Sequence, residues 1–128
     1  MICGIGIDIQ DVRTFAECVA ESGDAYLKRV FTPDEIAYCD ATSNAMEAYA
    51  ARFAAKEAAM KALSTGWDGV DWHDFEIVNE VSGQPTLKLR GNAAKITAER
   101  GITIMWISLS HVSDYAVAQV VLEGSQTA

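Results

Sequence analysis

Eight of the residues from Ala48 to Ala62 are alanine, and this stretch constrains the fold more than any other. Alanine is the strongest helix former and carries almost no side-chain bulk. The segment therefore predicts a helix built for close packing. Its charges are gathered at Arg52, Lys56, Glu57 and Lys61 instead of being spread over a solvated face. Glu57 and Lys61 stand one turn apart, with Phe53 a turn earlier, so the three share one stripe. Two readings fit the Glu57–Lys61 spacing. One is a surface ion pair worth about 0.3–0.5 kcal/mol. The other is a compact polar site on a helix otherwise floored with alanine, and the clustering of the charges favours it.

A second carboxylate sits on a different kind of backbone. Ile5-Gly6-Ile7-Asp8-Ile9 is apolar, β-prone and glycine-marked, and Met1 to Ile9 predicts a buried strand. A charge inside such a strand is costly unless it is paired or bound to a metal. Asp8 reads either as a capping or loop carboxylate just past the strand end or, with Glu57, as one of two hard oxygen ligands. Such a pair suits Mg²⁺, which takes one or two carboxylates and fills its other positions with water and substrate phosphate.

Around these two segments the remaining elements follow from local signals. Thr14 to about Ala25 is helical in pattern, with Phe15, Val19 and Ala16 inward. Thr32-Pro33-Asp34-Glu35 is a capping box with proline at the first helical position. A polar spacer, Asp40 to Asn44, precedes the long helix; Asn44 or Ser43 caps it, Glu47 lies in its first turn, and Gly66 is expected to end it. Phe75–Val78 and Thr86–Leu89 form a hairpin about the turn Ser82-Gly83-Gln84-Pro85. Ala93 to Arg100 is a short helix closed by Gly101. The β-rich runs Ile102–Leu109 and Tyr115–Leu122 are joined by a loop over Ser110–Asp114, and the small polar tail Glu123–Ala128 is expected to fray. The order predicts a single α+β domain over residues 1–128, a mostly antiparallel sheet packed against the long alanine-rich helix.

Composition narrows the function classes. The chain has 128 residues, enough for a real core. A net charge of -8 argues against nucleic acid, whose phosphates need clustered Lys and Arg. The longest apolar runs are too short for a bilayer, and the N-terminus lacks a basic region and carries Asp8, unlike a secretory signal. Cys3, Cys18 and Cys39 are widely spaced with no Cys-x-x-Cys, which points to reduced thiols in a cytoplasmic protein without disulfide or zinc. His111, where Ser108-Leu109-Ser110-His111 ends a strand and opens a loop, is either a satisfied structural residue or a ligand contact. His73 reads as a surface loop residue, and Gly83 and Pro85 most simply as turn residues. There is no Gly-x-Ser-x-Gly, no Gly-x-Gly-x-x-Gly and no phosphate-binding Gly-x-x-x-x-Gly-Lys loop.

Taken in order, three blocks resemble the holo-acyl-carrier-protein synthases, the small AcpS-type 4'-phosphopantetheinyl transferases. They are Gly4-Ile5-Gly6-Ile7-Asp8-Ile9, then Arg52-Phe53-Ala54-Ala55-Lys56-Glu57-Ala58 with Lys61-Ala62, then Ser108-Leu109-Ser110-His111 followed by Tyr115-Ala116-Val117-Ala118. Phe31-Thr32 with Glu35, and Gly83-Gln84-Pro85, fall where the family has their counterparts. The resemblance spans essentially the whole chain. It implies the 4'-phosphopantetheinyl transferase fold and transfer of the 4'-phosphopantetheine arm of coenzyme A to a serine hydroxyl of an apo acyl carrier protein, releasing adenosine 3',5'-bisphosphate. It further implies that Asp8 and Glu57 bind Mg²⁺, that Lys61 contacts the phosphates, and that Arg52, His111, Gly83 and Pro85 line the nucleotide end. A cytoplasmic homotrimer with active sites between subunits is the expected assembly.

One region departs from the family. Its bacterial members present a basic first helix to acidic carriers, whereas Glu17, Glu21 and Asp24 here oppose Arg13, with Lys28 and Arg29 beyond. Steering of an acidic partner would be weak, and docking through apolar contacts, or on a neutral carrier domain, is the expectation. Two other classes compete with the transferase: a trimeric binding module without catalysis, and a metal-dependent phosphohydrolase. Intact Asp8, Glu57 and Lys61 weigh against the first, and the lack of a second metal cluster or a nucleophile against the second.

Overall fold

The computed structural model describes residues 1–66 and 68–125. The alanine segment is helix α3, Ala45–Leu63, and the rest of the chain is arranged about it. Before it come β1 (Ile2–Asp11), α1 (Val12–Val30) and α2 (Pro33–Asp40); after it come β2 (Phe75–Asn79), β3 (Pro85–Leu89), α4 (Gly91–Glu99), β4 (Ile102–Val112) and β5 (Tyr115–Gly124). The strands form two antiparallel sheets, β1-β5-β4 and the separate hairpin β2-β3. The α+β class and the hairpin stand as the sequence predicts.

Helix α3 lies on the three-stranded sheet closer than ordinary side chains would permit. Ala54, Ala55, Ala58, Ala59 and Ala62 are buried between them. A Cβ built on Gly6 would sit 1.8 Å from the carbonyl oxygen of Ala58, and one on Gly4 would sit 2.1 Å from that of Ala62. Strand backbone therefore rests on helix backbone, and alanine facing glycine is what makes this possible. The sheet register sets three inward rows: Gly6–Val120–Ile107, Asp8–Ala118–Leu109 and Gln10–Ala116–His111. Because β1 steps from Ala62 at Gly4 to Ala58 at Gly6, its next inward residue, Asp8, falls one further turn toward the N-terminus of α3.

Several expectations change. β1 is buried on one face only: glycine, Asp8 and Gln10 face the helix, while Ile5, Ile7 and Ile9 point away and are 58%, 58% and 62% exposed. Their alternation is that of a strand with two different faces. Helix α1 runs past Ala25 to Val30, broken at Gly23, whose φ of 68° and ψ of -157° are not helical. Phe15 is buried, with Ala16 and Val19 partly so. Helix α3 ends before Gly66: Ser64 takes the left-handed conformation, φ 57°, its N–H reaching the carbonyls of Met60 and Lys61, and the Arg100 guanidinium caps the Leu63 carbonyl. The predicted loop Ser110–Asp114 shrinks to the two-residue turn Ser113-Asp114, so His111 lies inside β4. β5 continues through Gly124, while residues 126–128 of the expected tail lie outside the described residues. His73 belongs to a 3-10 turn, Trp72–Asp74, half-buried with Nε2 2.8 Å from the Lys28 carbonyl oxygen.

The caps of α2 and α3 are the local ones. Thr32 Oγ accepts from the Glu35 N–H, Glu35 accepts from the Thr32 N–H, and Asn44 accepts from the Glu47 N–H. Glu35 does more than cap, because it also forms a 2.8 Å ion pair with Lys56, both side chains fully buried.

Candidate active site

Asp8 is the first fixed point. Its Oδ1 lies 3.0 Å from Lys61 Nζ, and its Oδ2 accepts a 2.7 Å hydrogen bond from Gln10 Nε2. Lys61 also donates to the Ile7 carbonyl at 3.1 Å, so the ammonium is anchored to β1 twice. Lys61 thus forms an ion pair with Asp8 across the helix–strand contact. Glu57, half-buried, stands on the same stripe of α3 one turn before Lys61, close enough to Tyr26 to act on it electrostatically. Burial, then the nearby charges of Cys18 and Glu57, raise the phenol of Tyr26, with Arg29 opposing them.

The donor set fits a hard cation held in part by the protein. Asp8 offers carboxylate oxygens oriented by one ammonium and one amide, and lone pairs remain on both. Among the described residues no group of three or more His, Cys, Asp and Glu forms a closed ligand cage. Asp8 on β1, with Glu57 on the Lys61 stripe of α3, would suit a metal that keeps water and substrate in its shell.

The second fixed point is a cleft of about 320 Å³ near the N-terminal end of α3. Arg52, Gly83, Pro85 and His111 all line it, although they come from α3, the β2–β3 turn and β4. Arg52 is buried. Its guanidinium stacks 4.1 Å from the ring centroid of Tyr38, and it donates to the Ala48 carbonyl at 3.4 Å and to Asn79 Oδ1. Its Nε is buried without a hydrogen-bond partner among the described residues. A buried donor left unmet is costly. His111 Nδ1 lies 3.1 Å from Glu47 Oε2.

The two fixed points are not one cavity. Asp8 and Lys61 are absent from the cleft lining, and they meet β1 whereas His111 belongs to β4, the other outer strand of the sheet. Within one chain the carboxylate group and the Arg52 cleft are separate.

Sequence reasoning missed Gln10, Glu47, Tyr38 and Asn79. Gln10 was within reach, since period-two spacing puts it on the same face as Asp8. The other three depend on long-range packing and leave no local signal.

Comparisons with known proteins identify the family. The family model described as the 4'-phosphopantetheinyl transferase superfamily matches residues 4–120. The chain belongs to this superfamily. A holo-[acyl-carrier-protein] synthase of Koribacter versatilis is 50% identical over 96% of this chain and 99% of its own. Among solved transferases, the holo-[acyl-carrier-protein] synthase of Neisseria meningitidis superposes with a TM-score of 0.89 at 33% identity, covering 96% of this chain and 99% of that one. The Bacillus anthracis synthase, solved in complex with coenzyme A (3',5'-ADP), gives a TM-score of 0.80 at 35% identity, with 98% and 99% covered. The matched span, residues 4–120, includes the stretch from Asp8 to His111.

Proposed function

We propose that this chain is a holo-[acyl-carrier-protein] synthase. It transfers the 4'-phosphopantetheine group of coenzyme A to a serine hydroxyl of an apo acyl carrier protein and releases adenosine 3',5'-bisphosphate. The observation that carries this reading is the full-length likeness to synthases of that name, one of them solved with coenzyme A, together with the Asp8–Lys61 pair and the Arg52 cleft. Both fixed points suit a pyrophosphate-linked nucleotide: oxygen ligands and an ammonium at one, a guanidinium with an unmet donor at the other.

In this reading Asp8 and Glu57 hold Mg²⁺. When bound, the ion neutralises charge on the pyrophosphate oxygens as the β-phosphoryl group is attacked. Lys61, held by Asp8 and the Ile7 carbonyl, offers its remaining proton to the same oxygens, and its compact charge needs no fixed fork geometry. Arg52 and His111, with the Gly83–Pro85 turn as a wall, bind the nucleotide end.

A homotrimer follows from the same reading. The outer face of the β1-β5-β4 sheet presents Ile5, Ile7, Ile9, Trp106, Val112 and Tyr115, all exposed, around Ser108, Ser110 and Gln119. Covering such a face with other copies buries it. Assembly also offers the way for the carboxylates of one subunit to meet the Arg52 cleft of the next, which supports an active site between subunits. The enzyme is a one-domain cytoplasmic protein in this reading. Among the described residues no helix is long and apolar enough to cross a membrane.

The exposed side of α1 carries Glu17, Glu21 and Asp24. An acidic carrier therefore docks here with little electrostatic steering, through apolar or neutral contacts. A transfer rate that falls steeply with ionic strength would sink this part of the proposal.

The deciding experiment is the intact mass of an apo acyl carrier protein after incubation with this protein, coenzyme A and Mg²⁺. A gain of one phosphopantetheine arm is expected, abolished by chelator. With Glu57→Ala the gain is lost while the circular-dichroism spectrum is unchanged. Coenzyme A binding without transfer to any carrier in a broad panel would favour the binding module instead.

A further inference from the structure

Glu47 places a negative charge beside a cleft meant for an anionic nucleotide. On charge alone this is unfavourable. Its side chain is largely buried in the first turn of α3, and its Oε2 lies 3.1 Å from His111 Nδ1. That contact accounts for its presence. A carboxylate that accepts from one ring nitrogen fixes the tautomer and the ring orientation, and leaves the other nitrogen for a ligand. Among the described residues, Nε2 of His111 has no hydrogen-bond partner, and His111 lines the same cleft as Arg52.

We propose that Glu47 is a positioning residue that accepts the Nδ1–H of His111 and thereby aims Nε2 at the nucleotide end of coenzyme A in the Arg52 cleft. The inference rests on the phosphopantetheinyl-transfer reading. It differs from a simple helix role for Glu47. An acid in the first turn favours the helix dipole whatever stands at position 111. A positioning acid matters only while His111 is there.

The test uses the full chain and two readouts: steady-state transfer to a carrier protein, and titration of coenzyme A without carrier. The variants are Glu47→Ala, Glu47→Gln, His111→Ala and the double variant Glu47→Ala/His111→Ala. Glu47→Ala is expected to raise both KM and Kd for coenzyme A about ten-fold, the scale of one charge-assisted hydrogen bond, with kcat nearly unchanged. Glu47→Gln keeps an acceptor oxygen and stays within about two-fold of the parent. The double variant binds no worse than His111→Ala alone. If Glu47→Ala does not fold, Glu47→Met replaces it, because methionine fills the volume and cannot accept as a carboxylate does.

Three results overturn the proposal: unchanged KM in Glu47→Ala, independent multiplying effects in the double variant, or Glu47→Gln as damaging as Glu47→Ala. A parent protein that neither binds coenzyme A nor modifies a carrier overturns the transfer reading, and the inference with it. An active parent with an inert Glu47 overturns the inference alone.

Discussion

Helix α3 carries two lysines five positions apart that meet opposite surroundings. Lys56 is fully buried, and its three donors are all met: Glu35 at 2.8 Å, the Trp72 carbonyl at 3.1 Å and the Phe75 carbonyl. Burial holds its ammonium below the usual lysine range, against the upward pull of Glu35, Glu76 and Asp71. Lys61 lies at the rim, its side chain 48% exposed, paired with an Asp8 that is 13% exposed. The buried pair ties α2, α3 and β2 together, since the second oxygen of Glu35 accepts from the Ile77 N–H at 2.9 Å. The rim pair ties only helix to strand and leaves the ammonium open to a ligand. Ion pairs of one chemical type thus lock the architecture where water is excluded and leave an ammonium accessible where it is not.

The largest effect should come from breaking the buried pair. Lys56→Met leaves Glu35 as an uncompensated buried charge, and stability by urea unfolding should fall about 3–5 kcal/mol. Adding Glu35→Gln should restore part of that loss. A loss below about 1 kcal/mol would put Lys56 in the same class as Lys61 and end the contrast. The rim pair predicts the reverse pattern. Lys61→Ala should change stability by no more than about 1 kcal/mol while transfer falls about 100-fold, as when one preorganised donor to a developing charge is removed. A strongly destabilised Lys61→Ala would break the comparison from the other side.

Gly6→Ala probes the contact that brings the two elements together. Its Cβ would meet the Ala58 carbonyl oxygen, so overpacking should cost about 1–3 kcal/mol and displace Asp8, lowering transfer as well. Full activity in this variant would separate the helix–strand approach from the site. The smallest effect concerns Glu76, beside the buried pair. Burial alone would raise this carboxyl, but hydrogen bonds from Arg90 and Thr32 outweigh it and hold it below the usual range. A lowered carboxyl contributes stability above its unfolded value of about 4.3, and that contribution disappears as pH falls through the folded value. The acid limb of stability against pH should therefore be shallower in Glu76→Gln than in the parent.

What the sequence disclosed divides along the same line. The Thr32–Glu35 box, the Asn44 cap and the alanine helix were legible because each depends on neighbours a few residues away. The end of α3 was not, since Arg100 caps it from the far side of the fold and Ser64 takes a conformation that glycine ordinarily supplies. Glu35 looked like a capping residue and is one, yet its partner Lys56 is visible only once α2 and α3 pack. Ser110, Ser113 and Asp114 resemble turn residues and predict a loop at His111; pairing with Ala116 on β5 keeps it in the strand.

By itself the sequence determined the elements, the α+β class, the superfamily and the residue types a phosphate-handling site needs, because periodicity, caps and motif spacing are local quantities. Only the tertiary structure decided that Lys61 pairs with Asp8, that Lys56 is sealed in the core, that Glu47 meets His111, and that the Arg52 cleft is separate from the carboxylates. Those relations are set by the depth at which alanine meets glycine and by the register of β1, β5 and β4, which no single segment contains.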